Sequence, residues 1–258
     1  MKNWLRNVWE GKRIIRVLTW ANMKAEYSHT LFGFFWLLLK PAIMVLAIVA
    51  TFYFRAGEID IVSYALTVTY GVVIWNVMSG VVNSMTELVY TQKNTFLKTT
   101  LPREVISLIP LARITVDFVF GFCFIVLAHF FLLKIPSIFS LGLLLSAAFL
   151  GLLVSYGIGL IVSILAVYFR DLRYFITHMM RILFFVTPIF LLEFPEGILT
   201  KTLYFNPFSL AIIMARSGEY LQHDLLHITL GLTAWAVVLV PTGIWFYGKK
   251  IHDTVDIV

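Results

Sequence analysis

Apolar residues along this chain come in long blocks separated by short polar connections, not as stripes at helical spacing. A block of about 20 apolar residues is the length that crosses a bilayer as a helix. The pattern predicts six such spans, at 31–54, 63–83, 105–133, 141–168, 173–192 and 227–247. The third and fourth blocks are long, so their ends project past the hydrocarbon or tilt within it. No short segment alternates with period two, which removes a β-barrel. The fold class predicted is an all-α membrane protein, in which an N-terminal interfacial amphipathic helix precedes a six-span bundle.

The chain is organised around Thr19–Pro41, which begins polar and turns apolar at Leu31. Lys24, Glu26 and His29 need water or headgroups, and Trp20, Tyr27 and Trp36 suit the layer between water and hydrocarbon. The reading is a helix lying on the membrane surface that bends near Gly33 into the first span. Ile14, Leu18, Ala21 and Ala25 recur at helical spacing as a narrow apolar seam, with Arg13, Arg16, Trp20, Lys24 and Tyr27 mostly opposite.

Residues 193–226 are apolar in pieces too short to cross, interrupted by Pro195, Asn206-Pro207 and Gly218. Such pieces fit re-entrant or surface-lying helices between the fifth and sixth spans, with Pro207 setting a break. Pro102 is placed to restart the chain as the third span.

Composition agrees with this picture. The 258 residues are 60% hydrophobic and 13% charged, against about a quarter charged for a soluble domain. The net charge of +6 reports orientation and contact with anionic lipid; no nucleic-acid-binding signature accompanies it. Lys and Arg concentrate before residue 31, in 84–104, in 169–173 and after 247, whereas the opposite side holds Arg55, Lys134, Lys201 and Arg216. Both termini are therefore expected in the cytoplasm. A single domain is expected over 1–258: an interfacial region 1–30, the bundle 31–247 and a tail 248–258, with no soluble domain attached.

Candidate chemistry is sparse. Cys123 is the single cysteine and sits in an apolar run, so neither an internal disulfide nor a Cys/His metal site is expected. There is no GxxxxGK[ST] phosphate loop, no acidic metal cluster and no nucleophile–base arrangement. Asp117 follows Arg113 by four residues, which places the two on one helical face as a structural pair, with a role toward substrate as the alternative. Lys40 either snorkels or faces a cavity, and Arg181, one turn after His178, can meet an anionic group. Gly151, Ser155 and Gly159 form a small-residue ladder that reports packing, within or between subunits. Thr91–Glu104 and Arg170-Asp171-Leu172-Arg173 read either as ordinary basic loops or as docking points for a partner. Most of the aromatic residues suit lipid contact and interface belts; a track for sugar rings is the functional alternative.

Four stretches in order carry a resemblance. They are KAEYSHTLFGFFWLLLKP, with Lys24, Tyr27, Gly33, Trp36 and Pro41 in place; LPREVISLIPLARITVDF from Leu101; FRDLRYF from Phe169; and TPIF from Thr187, followed by NPF from Asn206. Together they resemble the permease subunits of type-2 ABC exporters for O-antigen, capsule and wall teichoic acid. Glu26 stands where that family usually has a basic residue.

The resemblance implies a homodimer completed by two copies of a cytoplasmic ATP-binding subunit. A lipid-linked glycan would then cross the bacterial cytoplasmic (inner) membrane along a seam bordered by the first and fifth spans. ATP and Mg would sit on the partner, with no cofactor, metal or catalytic residue on this chain. Lys93, Phe96, Leu97, Lys98, Arg170, Asp171, Leu172 and Arg173 would couple to the ATPase. Arg16, Lys24 and Lys40 are candidates for the substrate headgroup. Tyr27, Phe35, Trp36, Phe184 and Phe185 are candidates for channel aromatics. The alternatives are a drug or lipid exporter of the same fold, and a membrane enzyme of lipid-linked sugar metabolism.

Overall fold

The computed structural model describes residues 2–53, 60–98, 101–132, 134–191, 203–218 and 224–255. The described residues are helical, without strands. Helix α1 runs Lys2–Tyr27, α2 Trp36–Tyr53 and α3 Ile61–Thr86; short helices α4 (Leu88–Thr91) and α5 (Lys93–Lys98) follow. Then come α6 (Arg103–Phe131), α7 (Ile138–Tyr168), α8 (Leu172–Val186), α9 (Pro207–Arg216) and α10 (Leu225–Val255).

Among the described residues, five helical segments have the length and apolarity to cross a membrane: Gly33–Phe52, Ile61–Thr86, Arg103–Phe131, Ile138–Tyr168 and Leu225–Ile251. The predicted fifth span appears as α8, only 15 residues long. At 1.5 Å per residue it covers about 22 Å, short of a hydrocarbon core of about 30 Å. The cause is local. Pro188 disfavours helical backbone at the residue before it, and Thr187 is accordingly extended (φ −77°, ψ 152°).

Burial sorts the helices. The apolar window of α3 is 83% buried and that of α7 67%, against 17% for both the α2 and α10 windows. Helices α3 and α7 are thus the axis of the subunit, and the rest surround it. The outer faces stay apolar: Leu46, Val119, Phe149, Val237 and Trp245 are exposed. Continuous apolar surface of this kind suits lipid and not water.

Local chemistry sets the breaks. Gly33 has φ +51°, a left-handed conformation glycine adopts without a Cβ penalty, and it separates α1 from α2 as predicted. Pro102 occupies the N-cap of α6, as expected from its missing N–H. Asn206 caps α9 by accepting from the Phe208 N–H at 3.0 Å, with Pro207 in the first turn. Residues Phe208–Arg216 of α9 are all buried: Phe208 packs on Trp75 in the middle of α3, and Ala211 approaches Gly151 in α7. Residues 192–202 of the predicted inter-span region lie outside the described residues.

The small-residue ladder of α7 packs within the subunit, Gly151 against Met78 and Gly159 against Met85. A closer crossing was not apparent in the sequence. A Cβ on Gly157 would stand 2.6 Å from the Leu239 backbone, and one on Gly243 would stand 2.6 Å from the Gly157 carbonyl oxygen.

Helix α1 buries a different face from the one its periodicity selects. Gly11, Thr19, Met23 and Tyr27 are buried, while Ile14, Val17 and Trp20 are exposed. Gly11 sits on Val105, and Met23 and Tyr27 pack with Leu37, Val116 and Phe120. The apolar seam and the bundle-facing seam differ because hydropathy along a helix does not say which of its groups the neighbouring helices cover.

Candidate functional site

Charged groups from three helices meet where α1 ends. Glu26 is ion-paired with Arg113, and Arg113 Nε lies 3.9 Å from Asp117. Lys40 Nζ is 3.8 Å from Glu26 and donates to the Tyr27 hydroxyl at 3.3 Å. Two cations and two carboxylates balance, as charges at the edge of hydrocarbon require. Burial pushes the Tyr27 hydroxyl pKa above its ordinary value, so it is a neutral acceptor for Lys40. Lys40, Asp117 and Tyr27 border a cavity of about 150 Å³, with Asn76 and Val73 of α3 as its far wall.

A second opening of about 420 Å³ lies between α2, α3 and α8. Met44, Trp75, Ser79, Arg181, Phe184 and Phe185 line it. Phe184 is nearly buried and meets Trp75 edge-on at 5.5 Å, whereas Phe185 is exposed and stacks on Phe190 at 5.9 Å. Phe190 in turn stacks on Phe52 of α2 at 6.0 Å. This aromatic run joins α2, α3 and α8 along one surface.

At the α3 end nearest α8, Arg173 Nη1 donates to Glu87 Oε2 at 3.2 Å, and its guanidinium lies 4.0 Å from the Tyr90 ring centroid. Tyr90 donates to the Ala166 carbonyl at 3.4 Å. The connection from Phe169 to Arg173 is thereby tied to the end of α3 and to α7. Arg103 Nη1 donates to the Ile251 carbonyl at 3.0 Å, and Tyr247 donates to the Arg103 carbonyl at 3.2 Å, which clamps α6 to α10 at the same end.

The family described as ABC-2 type transporter matches residues 13–220. The chain belongs to the ABC-2 type transporter family. Membership makes it a multi-pass membrane protein and implies an ATP-binding partner. Two curated relatives, both O-antigen export system permease protein RfbA from Klebsiella pneumoniae, are 27% and 24% identical over 181 residues. In each case the aligned part is 68% of this chain and 68% of the relative.

The ABC-2 chain gathers some of the predicted site residues and separates others. Tyr27, Trp36 and Lys40 lie together beside the charge cluster, while Arg16, Lys24 and Phe35 are exposed. Phe184 and Phe185 share the second opening. Of the predicted coupling residues, Lys93, Arg170 and Asp171 are exposed, Leu172 is half-buried and Arg173 is held by Glu87. Phe96 is buried in the core, so its side chain anchors α5 to the bundle. The side chains of Leu97 and Lys98 lie outside the described residues.

Three participants were missed in the sequence. Glu26 was read as a departure from a pattern, and its partner Arg113 is 87 positions away. Glu87 and Tyr90 stand within 84–104, a stretch whose sequence signal is its basic residues. For Glu87, the signal available was an acidic residue at the end of an apolar helix in an otherwise basic loop.

Proposed function

We propose that this ABC-2 permease is the membrane subunit of an ATP-driven exporter that moves a lipid-linked polysaccharide of O-antigen, capsule or teichoic acid type across the bacterial inner membrane. The observation that carries the reading is the family match together with relatives named as O-antigen export permeases. Two copies of the chain form the channel at their seam, each served by a cytoplasmic ATP-binding subunit. Both termini are cytoplasmic.

In this reading α8 is the fifth of six crossings, completed by the residues after it. Arg173 is level with Glu87, while Ile189 lies against Gly71, so Leu172–Phe190 runs beside α3 for 16 residues of that helix. That is about 24 Å of membrane depth. Helix α9, buried throughout with Phe208 at the depth of Trp75, is a re-entrant helix entering from the far side. A buried, capped helix is the form in which chain reversal within a membrane is tolerated.

The geometry gives the mechanism a physical form. ATP-driven closure of the partner pushes on Lys93–Lys98 and on Phe169–Arg173. The ties from Arg173 to Glu87 and Tyr90 pass that push to α3 and α7 as rigid bodies, which opens the seam. Lys40, with Arg16 and Lys24 toward the surface, attracts the anionic headgroup; Phe184 and Phe185 offer faces to sugar rings.

Deletion of the gene in the native host, with surface glycan and cytoplasmic-leaflet lipid-linked glycan both quantified, tests the reading. Loss of surface glycan with accumulation inside supports it, provided an ATP-binding subunit copurifies with the tagged chain. Unchanged surface glycan, or a chain that purifies alone and is active on lipid-linked sugars, overturns it.

A further inference from the structure

Helix α3 is apolar and central, yet it carries a polar line. Asn76, Ser79, Asn83 and Glu87 are spaced three, four and four apart, so at 100° per residue they fall within an arc of about 80°. The line is about 16 Å long along the axis. Glu87 is paired with Arg173, but the packing of α3 leaves the two carboxamides of the line open. The Asn83 Oδ1 is buried with no hydrogen-bond partner, Asn76 is exposed, and Ser79 only returns a bond to the Trp75 carbonyl at 2.7 Å. Polar groups left open inside a membrane protein mark a path for something polar.

The three openings described in this chain share this line as a wall. Asn76 borders the cavity beside Lys40, and Ser79 and Asn83 border the opening beside Phe184. Asn83 also borders a third cleft of about 520 Å³ with Glu87, Gln92, Asn22, Thr19 and Arg113. Asn83 is thus common to the cleft beneath α1 and the aromatic opening beside α8.

We propose that the polar face of α3 is a track for the hydroxyl groups of a neutral sugar chain, and that Asn83 is the specificity-determining residue where the chain passes from the cleft beneath α1 to the aromatic opening. This rests on the export reading above. The chemistry favours hydroxyls over phosphates. The line offers carboxamides and a hydroxyl; of the adjoining charges, Glu87 is paired with Arg173, Arg113 and Lys40 are paired with Glu26, and Arg181 stands at the exposed rim of the aromatic opening. A carboxamide both donates and accepts, as a hydroxyl does, and Trp75 on the same helix with Phe184 of α8 lines the opening with aromatic surface for sugar C–H groups. A short ladder of such groups lets a polymer slide by exchanging bonds.

The test uses the complete complex in inside-out vesicles, with Cys123→Ser and Asn83→Cys in the permease. A charged, membrane-impermeant methanethiosulfonate reagent is the probe. Vesicles come from a host making its lipid-linked glycan and from one blocked before the first sugar transfer. The track predicts that residue 83 reacts in the blocked host and at least tenfold more slowly when the glycan is present. An Asp253→Cys control at the exposed polar end of α10 is labelled in both hosts and changes by less than twofold. In cells, Asn83→Leu lowers surface glycan at least tenfold at normal complex assembly, and Asn83→Gln restores part of it. Equal labelling in the two hosts, no labelling in either, or normal surface glycan with Asn83→Leu overturns the track. If the gene deletion removes surface glycan while these results appear, only the track fails; if the deletion leaves surface glycan intact, the export reading fails with it.

Discussion

Arg173 and Glu87 lie 86 residues apart in sequence, and their side chains meet at 3.2 Å at the end of the central helix. The pair is partly exposed, so its direct contribution is about 1 kcal/mol or less, with a similar amount from the guanidinium over Tyr90. Its importance is geometric, because it fixes a short loop to the axis of the subunit. Arg173→Ala is expected to lower export several-fold per ATP hydrolysed while changing the thermal midpoint of the complex by only a few degrees. Arg173→Lys should recover little, since a lysine has no planar fork to stack on Tyr90. The check is the ratio of surface glycan to ATP turnover. The swapped pair Glu87→Arg with Arg173→Glu should recover more of that ratio than either single change.

Glu26 and Arg113 hold α1 on α6. Removing Glu26 leaves Arg113 half-buried with only Asp117 at 3.9 Å. Glu26→Gln is expected to destabilise by about 1–2 kcal/mol, and a double-mutant cycle with Arg113→Gln should return a coupling within about 0.5–3 kcal/mol. The measurement is thermal unfolding of the purified complex in detergent. Coupling near zero would mean that α1 is held by its packing at Gly11, Met23 and Tyr27 and not by the ion pair.

These pairs mark where the sequence stopped being legible. Apolar blocks placed α2, α3, α6 and α7 within about five residues, whereas α10 continues as helix through most of the expected tail to Val255, and Gly33, Pro102 and Asn206-Pro207 marked breaks that occur there. Each is a local effect of block length, a positive φ or a missing N–H. The end of α8 was overrun because Thr187–Phe190 is apolar enough to extend a span, while Pro188 stops the helix. The buried face of α1 is not legible for a different reason. Hydropathy separates apolar from polar, but in a membrane it does not separate protein-facing from lipid-facing, so Thr19 is buried and Val17 is not. Of the candidate site, Lys40, Tyr27 and Phe184 were legible as residue types; their joint placement depends on helix crossings that no periodicity encodes.

The crossing of α7 and α10 gives a sharp test. A Cβ at residue 157 would stand 2.6 Å from the Leu239 backbone, which cannot rotate away as a side chain can. Gly157→Ala should therefore cost about 1–3 kcal/mol or more through overpacking. Gly142→Ala, with nothing within 4 Å of its Cβ, should leave stability nearly unchanged. Thermal midpoints of the two variants in the same detergent provide the comparison.

The far end of α3 should respond to acid. Asp60 accepts from Ser63 Oγ at 2.5 Å and from the Val62 N–H at 3.1 Å, and Lys134 Nζ stands 3.6 Å away. The Ser63 hydrogen bond is the leading cause of a carboxyl pKa below its ordinary value. A depressed pKa means the cap stabilises the folded state above the unfolded carboxyl pKa of about 3.9, and that this is lost as pH falls through the folded value. Amide exchange at residues 61–65, corrected for intrinsic rates, should be flat from neutral pH to about 5 and rise below about 4. Asp60→Asn should remove the step. A step that persists in Asp60→Asn would assign the acid response to another group.

Arg216 is fully buried at the C-terminal end of α9, where Nη1 donates to the carbonyls of Pro188 and Leu191, both at 2.8 Å. Those carbonyls follow the helix that Pro188 ended, so Arg216 supplies donors that the broken helix no longer provides. Arg216→Ala removes the donors and opens a void, and is expected to cost about 3–5 kcal/mol. Arg216→Met fills the space and removes a costly buried charge, so it should recover part of that loss without restoring the bonds. For a chain of this size each kcal/mol is about 2–4 °C in thermal midpoint, so the alanine variant should fall by roughly 6–20 °C. The functional readout separates two roles. If Arg216 serves only stability, the methionine variant exports in proportion to the complex that survives. If it fixes the angle between α8 and α9, export per assembled complex falls in both variants, and Arg216→Lys, which lacks the fork, falls with them.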